Sequence, residues 1–190
     1  MKFLAVVTLI ITFIAPAEAN QKSKAYFAGG CFWCMEESFE KLSGVEKVIS
    51  GYSGCTTENP TYKEVVYGKT GHFEVVEIIY DKEIISFDEL LNIFWKNIDP
   101  FDPYGQFCDK GYSYRSVAFY SSETEKQLIE NSINKLEKKF NDKIVTFIRK
   151  FDEFYIAEDY HQDYYEENFI NYLMYKNGCG RVKTLKKIWN

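Results

Sequence analysis

An α+β sandwich of the split βαβ kind, with helices packed on one face of a sheet, is the fold class this sequence predicts. Three observations predict it. Hydrophobic periodicity switches along the chain in the order strand, helix, strand, strand, helix, strand. The 190 residues, 46% hydrophobic, suffice to bury one ordinary core and contain no internal repeat. No Pro/Gly/Ser-rich linker divides them, so one domain is expected.

Residues 25–28 read as a short strand, Gly29-Gly30 as a sharp turn, and residues 31–42 as a helix with Met35, Phe39 and Leu42 at helical spacing. Residues 45–53 form a second strand. Residues 71–81 form a third, in which Phe73, Val75, Glu77 and Ile79 alternate with Glu74, Val76, Ile78 and Tyr80; both faces are largely apolar, which marks a central strand. Ser86 and Glu89 make a capping box ahead of Leu90, Leu91, Phe94 and Ile98, and Pro100 ends that helix. Residues 114–120 resume strand. Ser122 and Glu125 open a third helix through Ile129, Ile133, Leu136 and Phe140, and residues 144–148 add a strand. The aperiodic remainder is expected as coil, with Gly178-Cys179-Gly180 a mobile or loop segment. The order is that of a ferredoxin-like two-layer sandwich carrying an extra C-terminal helix, strand and coil.

At the N-terminus, Lys2, an apolar run over residues 3–15, Pro16 and Ala17-Glu18-Ala19 form the pattern of a cleaved export signal. The run is shorter than the roughly 20 apolar residues of a membrane span, and Asn20 rather than a cysteine follows, which argues against a lipid anchor. The expectation is a signal peptide over 1–19 and a single domain over 20–190, exported to a periplasm or the exterior without a stable membrane anchor. A net charge of −5 argues against a general nucleic-acid partner.

Five cysteines, Cys31, Cys34, Cys55, Cys108 and Cys179, are too few for a disulfide-knit scaffold, and an odd number leaves one unpaired. Cys31 falls at a strand-to-helix turn, where free N–H groups and the helix dipole favour a thiolate. The glycines before it leave room for another molecule to approach, and Phe32 and Trp33 supply apolar walls. A buried structural cysteine is the plainer reading of the same position. Cys31 and Cys34 also form a C-x-x-C, which admits a thioredoxin-like dithiol oxidoreductase; a zinc site lacks the second cysteine pair it needs, so no metal is expected.

Gly30-Cys31-Phe32-Trp33-Cys34 resembles the signature of the peptide methionine sulfoxide reductases of the A type, which act on the S epimer. Gly51-Tyr52-Ser53-Gly54, Asn59-Pro60-Thr61-Tyr62, Gly71-His72-Phe73-Glu74-Val75-Val76, Asp99-Pro100, Asp109-Lys110-Gly111 with Tyr114-Arg115-Ser116, and Ala157-Glu158-Asp159-Tyr160-His161-Gln162 resemble further blocks of that family, in family order. Cys34 stands where many members carry glycine, and the chain resembles the branch with cysteine there.

The resemblance implies that Cys31 attacks the sulfoxide sulfur, that Glu74 protonates the oxygen, and that Cys31 becomes a sulfenic acid. It implies that Tyr52 and Tyr114 hydrogen-bond the oxygen, that Asp109 helps order the site, and that Phe32 and Trp33 cradle the S-methyl group. Glu74 is expected to be partly buried, since an acid working near pH 7 needs a raised pKa. His72 and His161 are expected to be structural or supporting. Cys179 is the first candidate to resolve the sulfenic acid, Cys34 the second and Cys108 the third, with Cys55 a spectator. The implied partners are free methionine sulfoxide or oxidised proteins and a thioredoxin-like protein or dithiol as electron donor. The chain is expected to work as a monomer with no metal or organic cofactor.

Overall fold

The computed structural model describes residues 22–190; the signal-peptide reading of residues 1–19 lies outside the described residues. Strands β1 (Ser23–Gly29), β2 (Val45–Ser53) and β3 (Phe73–Tyr80) enclose helices α1 (Phe32–Glu40) and α2 (Tyr62–Val66). Helix α3 (Phe87–Lys96), the ribbon β4 (Gly105–Gln106) and β5 (Asp109–Lys110), and strand β6 (Ser116–Tyr120) follow. The chain closes with α4 (Glu123–Phe140), β7 (Phe147–Lys150), β8 (Phe154–Ile156), α5 (Tyr164–Glu167), α6 (Phe169–Gly178) and α7 (Arg181–Trp189).

The sheet order is β7-β6-β1-β3-β2-β8. Its inner four strands, β6-β1-β3-β2, pair antiparallel throughout, which is the predicted split βαβ arrangement with β3 central between β1 and β2. β7 adds parallel to β6, as the crossover through α4 permits, and β8 adds antiparallel to β2.

Period-two alternation sends β3 side chains to two different cores. Val76 and Ile78 join Ala25, Phe27 and Val48 beneath Met35 and Phe39 of α1 and Leu90, Leu91 and Phe94 of α3. Burying each such aromatic or aliphatic side chain is worth about 1.5–3 kcal/mol. Phe73 and Val75 face the other way, with Tyr26, Val117 and Phe119, and that face is roofed by aromatic side chains rather than a helix: Phe151 stacks on Tyr26 at 3.7 Å. Glu74 shares the helix face, so it lies under the start of α1.

The aperiodic C-terminal stretch is helical, contrary to the coil expected from sequence. Gly178-Cys179-Gly180 is the junction between α6 and α7, with Gly180 left-handed at φ 74°, rather than a mobile loop. The cause is tertiary: Arg181, 3% exposed, donates to the carbonyl oxygens of Gly29 (3.3 Å) and Asn97 (2.6 Å) and pins the start of α7 to the core. Helix α6 has no strong periodic apolar stripe, whereas α7 carries Val182, Leu185, Ile188 and Trp189 at helical spacing that the sequence reading passed over.

Candidate active site

Gly30 turns the chain from β1 into α1 at φ 81°, and a side chain there would meet Cβ of Gln106 at 2.6 Å. At Gly29 the same addition would strike Sδ of Met35 at 2.4 Å. The glycine pair therefore serves internal packing rather than the approach of another molecule. It sets Cys31 at the N-cap of α1, 5% exposed.

Cys31, Phe32, Trp33, Tyr62, Glu74, Asp109, Tyr114 and Tyr175 line one cavity of about 50 Å³. Glu74 is 2% exposed, and its Oε2 accepts the N–H of Phe32 at 3.0 Å. Burial pushes its carboxyl up to about 8, and the charge of Asp109 adds to this against the Phe32 N–H and Tyr114 hydrogen bonds. The group is thus a neutral acid at pH 7. Tyr62 and Tyr114 hydrogen-bond to each other, and burial raises both phenols, Tyr62 to about 12, so both stay protonated donors. Burial also raises Asp109, which accepts the phenol proton of Tyr175.

The thiols depart from expectation. Burial, then the hydrogen bond to Cys34, push the Cys31 thiol well up, with neighbouring Tyr175 opposing this. Cys34 is lowered to about 6, first by the hydrogen bond from Cys31 and further by Arg181, Tyr172 and Lys176. Of the N–H groups at the start of α1, that of Phe32 is spent on Glu74. Cys34 lies one turn into α1, and the two hydrogen-bonded thiols titrate as a unit.

Tyr52 does not reach the cavity. Its hydroxyl donates to Oε2 of Glu158 at 2.8 Å, and Oε1 of Glu158 accepts the Tyr62 N–H at 2.9 Å. Tyr62, at the first position of α2 behind a Thr61–Glu64 capping box, stands where the sequence reading placed Tyr52. Tyr52 acts at one remove, holding the carboxylate that fixes α2. Sequence reasoning had quoted Tyr62 within its block but had no means of choosing it over Tyr52; it missed Tyr175 altogether, which no motif marks.

His161 is buried and held neutral by desolvation, and its Nδ1 accepts Nε1–H of Trp33 at 3.2 Å. Trp33 is sandwiched further by Tyr164, stacked at 3.9 Å. His72 pairs through Nε2 with the Thr57 carbonyl at 2.8 Å, outside the cavity. Both histidines are supporting, as expected. Cys55 is exposed and also outside the cavity.

Cys179 is not free to meet Cys31, because it is joined to Cys108 in a disulfide, and Cys108 adjoins Asp109. Cys34 is the thiol in contact with Cys31.

The chain is similar to known proteins along most of its length. The family model for peptide methionine sulfoxide reductase matches residues 23–190. A peptide methionine sulfoxide reductase of Bacillus subtilis is 46% identical over 173 residues, covering 90% of this chain and 98% of its own, and that of Halalkalibacterium halodurans is 48% identical over 168 residues, covering 87% and 96%. Among solved structures, methionine sulfoxide reductase A of Corynebacterium diphtheriae superposes with a TM-score of 0.71 at 32% identity, covering 80% of this chain and 77% of its own. The reduced form of Mxr1 from Saccharomyces cerevisiae superposes with a TM-score of 0.74 at 28% identity, covering 83% and 92%. With the family model spanning the described fold and relatives this similar along nearly their full length, the chain belongs to the peptide methionine sulfoxide reductase family.

Proposed function

We propose that the chain reduces methionine-S-sulfoxide, free or in oxidised proteins, with Cys31 as nucleophile and Glu74 as acid. The observation that carries this reading is a neutral, buried carboxyl group lining the same small cavity as a buried thiol. A sulfoxide sulfur becomes electrophilic once its oxygen is protonated or strongly hydrogen-bonded. Tyr62 and Tyr114 supply the donors and Glu74 the proton, while Phe32 and the clamped Trp33 offer an apolar wall for the S-methyl group.

The Cys31 proton passes along its hydrogen bond to the Cys34 thiolate as Cys31 attacks. The S–O bond breaks, the oxygen leaves with the Glu74 proton as the hydroxyl of Cys31–SOH, and methionine departs. Cys34 then attacks the sulfenic sulfur, its proton returning through Glu74, and water leaves as the Cys31–Cys34 disulfide forms. Exchange with the thiols of Cys108 and Cys179 moves the disulfide outward, where a thioredoxin-like dithiol reduces it. The redox pattern of the structure, free Cys31 and Cys34 beside a Cys108–Cys179 bond, supports this sequence as its final stage. Cys34 thus takes the resolving step first assigned to Cys179, and Cys179 a later one.

We further propose export of the chain as a monomer after cleavage near Ala19, on the leader pattern of Lys2 and residues 3–15. Export makes a membrane-fed thioredoxin-like donor the reductant. N-terminal sequencing of the exported protein tests this, the expected start being close to Asn20. For the activity, methionine release from its S-sulfoxide with dithiothreitol is expected, with none from the R epimer; release from R alone would overturn the assignment.

A further inference from the structure

The cavity of about 50 Å³ is far below the roughly 300–1,000 Å³ of ordinary small-molecule sites, and it is this small with Tyr175 in its wall. The phenol of Tyr175 donates to Asp109, and Tyr175 lines the cavity beside Cys31. Its backbone carbonyl accepts the Cys179 N–H at 2.8 Å, so Tyr175 and Cys179 are one helical turn apart on the same side of α6. The disulfide from Cys179 to Cys108 and the hydrogen bond from Tyr175 to Asp109 therefore tie the same two elements, α6 and the β4–β5 ribbon, by adjacent rungs.

The segment between is held at its ends and, within it, by Lys176 on Glu37 and by the edge contact of Tyr175 with Trp33. Tyr172 is buried with its hydroxyl on Glu37 at 2.5 Å, and Arg181 is buried in the core. Between them, Leu173, Met174 and Asn177 are exposed, and a side chain added at Gly178 or Gly180 would meet nothing. Such a turn lacks the packing that makes local opening costly.

We propose that Tyr175 is a gate over the Cys31 thiol, latched by the Cys108–Cys179 disulfide and released when that disulfide is reduced. A dithiol delivers two electrons to the Cys108–Cys179 bond, which breaks to two thiols while the reductant's own sulfurs join. The last turn of α6 then withdraws between Tyr172 and Gly180, the phenol leaves Cys31, and the cavity widens to admit a methionine sulfoxide side chain. Substrate enters only after the surface thiols can accept the next disulfide. The proposal rests on Cys31 being the nucleophile.

The test prepares the full chain in two forms, verified by mass mapping: fully reduced, and carrying the Cys108–Cys179 bond alone. Cys31 alkylation by iodoacetamide and a single turnover of methionine-S-sulfoxide are timed in each. The latched form is expected to be about tenfold slower in both, and Tyr175→Ala to abolish the difference. Equal rates in the two wild-type forms overturn the gate while leaving Cys31 as nucleophile. If Cys31 is alkylated but neither form releases methionine, it is the assigned chemistry that fails. Should Tyr175→Ala not fold, the comparison of the two wild-type forms decides alone.

Discussion

Two cysteine pairs stand at opposite ends of a burial gradient. Cys31 and Cys34, 5% and 2% exposed, share a hydrogen bond and titrate together inside the helix-capped core, whereas Cys108 is exposed and Cys179 half-buried, already joined to each other. A buried pair can be tuned by its neighbours, because each charge or hydrogen bond acts in a low dielectric. An exposed pair is open to exchange with another protein's thiols. The proposed scheme accordingly gives chemistry to the first pair and electron supply to the second.

The sharpest way to break this division is Cys31→Ser, expected to lower single-turnover sulfoxide reduction by about 10⁴-fold or more. Next, Glu74→Gln is expected to lose about 10²–10³-fold at pH 7. Because Glu74 must be protonated to act and its pKa lies near 8, wild-type rate should fall as pH rises through about 8, and the Gln variant should lack that limb in a pH–rate profile.

Cys179→Ser separates the pairs. Steady-state turnover with a protein dithiol should drop about tenfold, while rapid quench still shows a burst of one methionine per chain; a lost burst would place Cys179 in the chemistry. Among the tyrosines, Tyr62→Phe is expected to cost about tenfold in rate and Tyr52→Phe only about twofold, since one phenol faces the cavity and the other Glu158. The reverse ranking would restore Tyr52 to the site.

The smallest effect concerns a second buried carboxyl. Glu36 is likewise raised to about 8, first by burial, but it accepts from Ser50 Oγ and the Asp163 N–H rather than facing the cavity. A folded pKa above the unfolded value gives stability that is full below about 4.5 and is lost as pH rises through about 8. Glu36→Gln should therefore be the more stable protein at pH 9 by ~2 kcal/mol, read from thermal unfolding, with the difference shrinking toward pH 5.

Much of the fold was legible from local pattern. The alternation of β3 predicted a central strand, and the Ser86–Glu89 and Ser122–Glu125 pairs marked helix starts that α3 and α4 use. Local rules carried these because a cap or an alternation is satisfied by residues three or four apart. The C-terminal helices were missed: their stability comes from Arg181 reaching Gly29 and Asn97, contacts 152 and 84 residues away in sequence.

The chain by itself determined the family, and its blocks singled out Cys31 and Glu74 as the residue types that the proposed chemistry requires. Only the tertiary structure decided which tyrosine faces the cavity and which cysteine meets Cys31. Those outcomes depend on burial and on partners brought together from distant segments: Glu158 beneath Tyr62, Arg181 beside Cys34, and Cys108 against Cys179. Desolvation is a property of the assembled core, and no spacing of letters along the chain reports it.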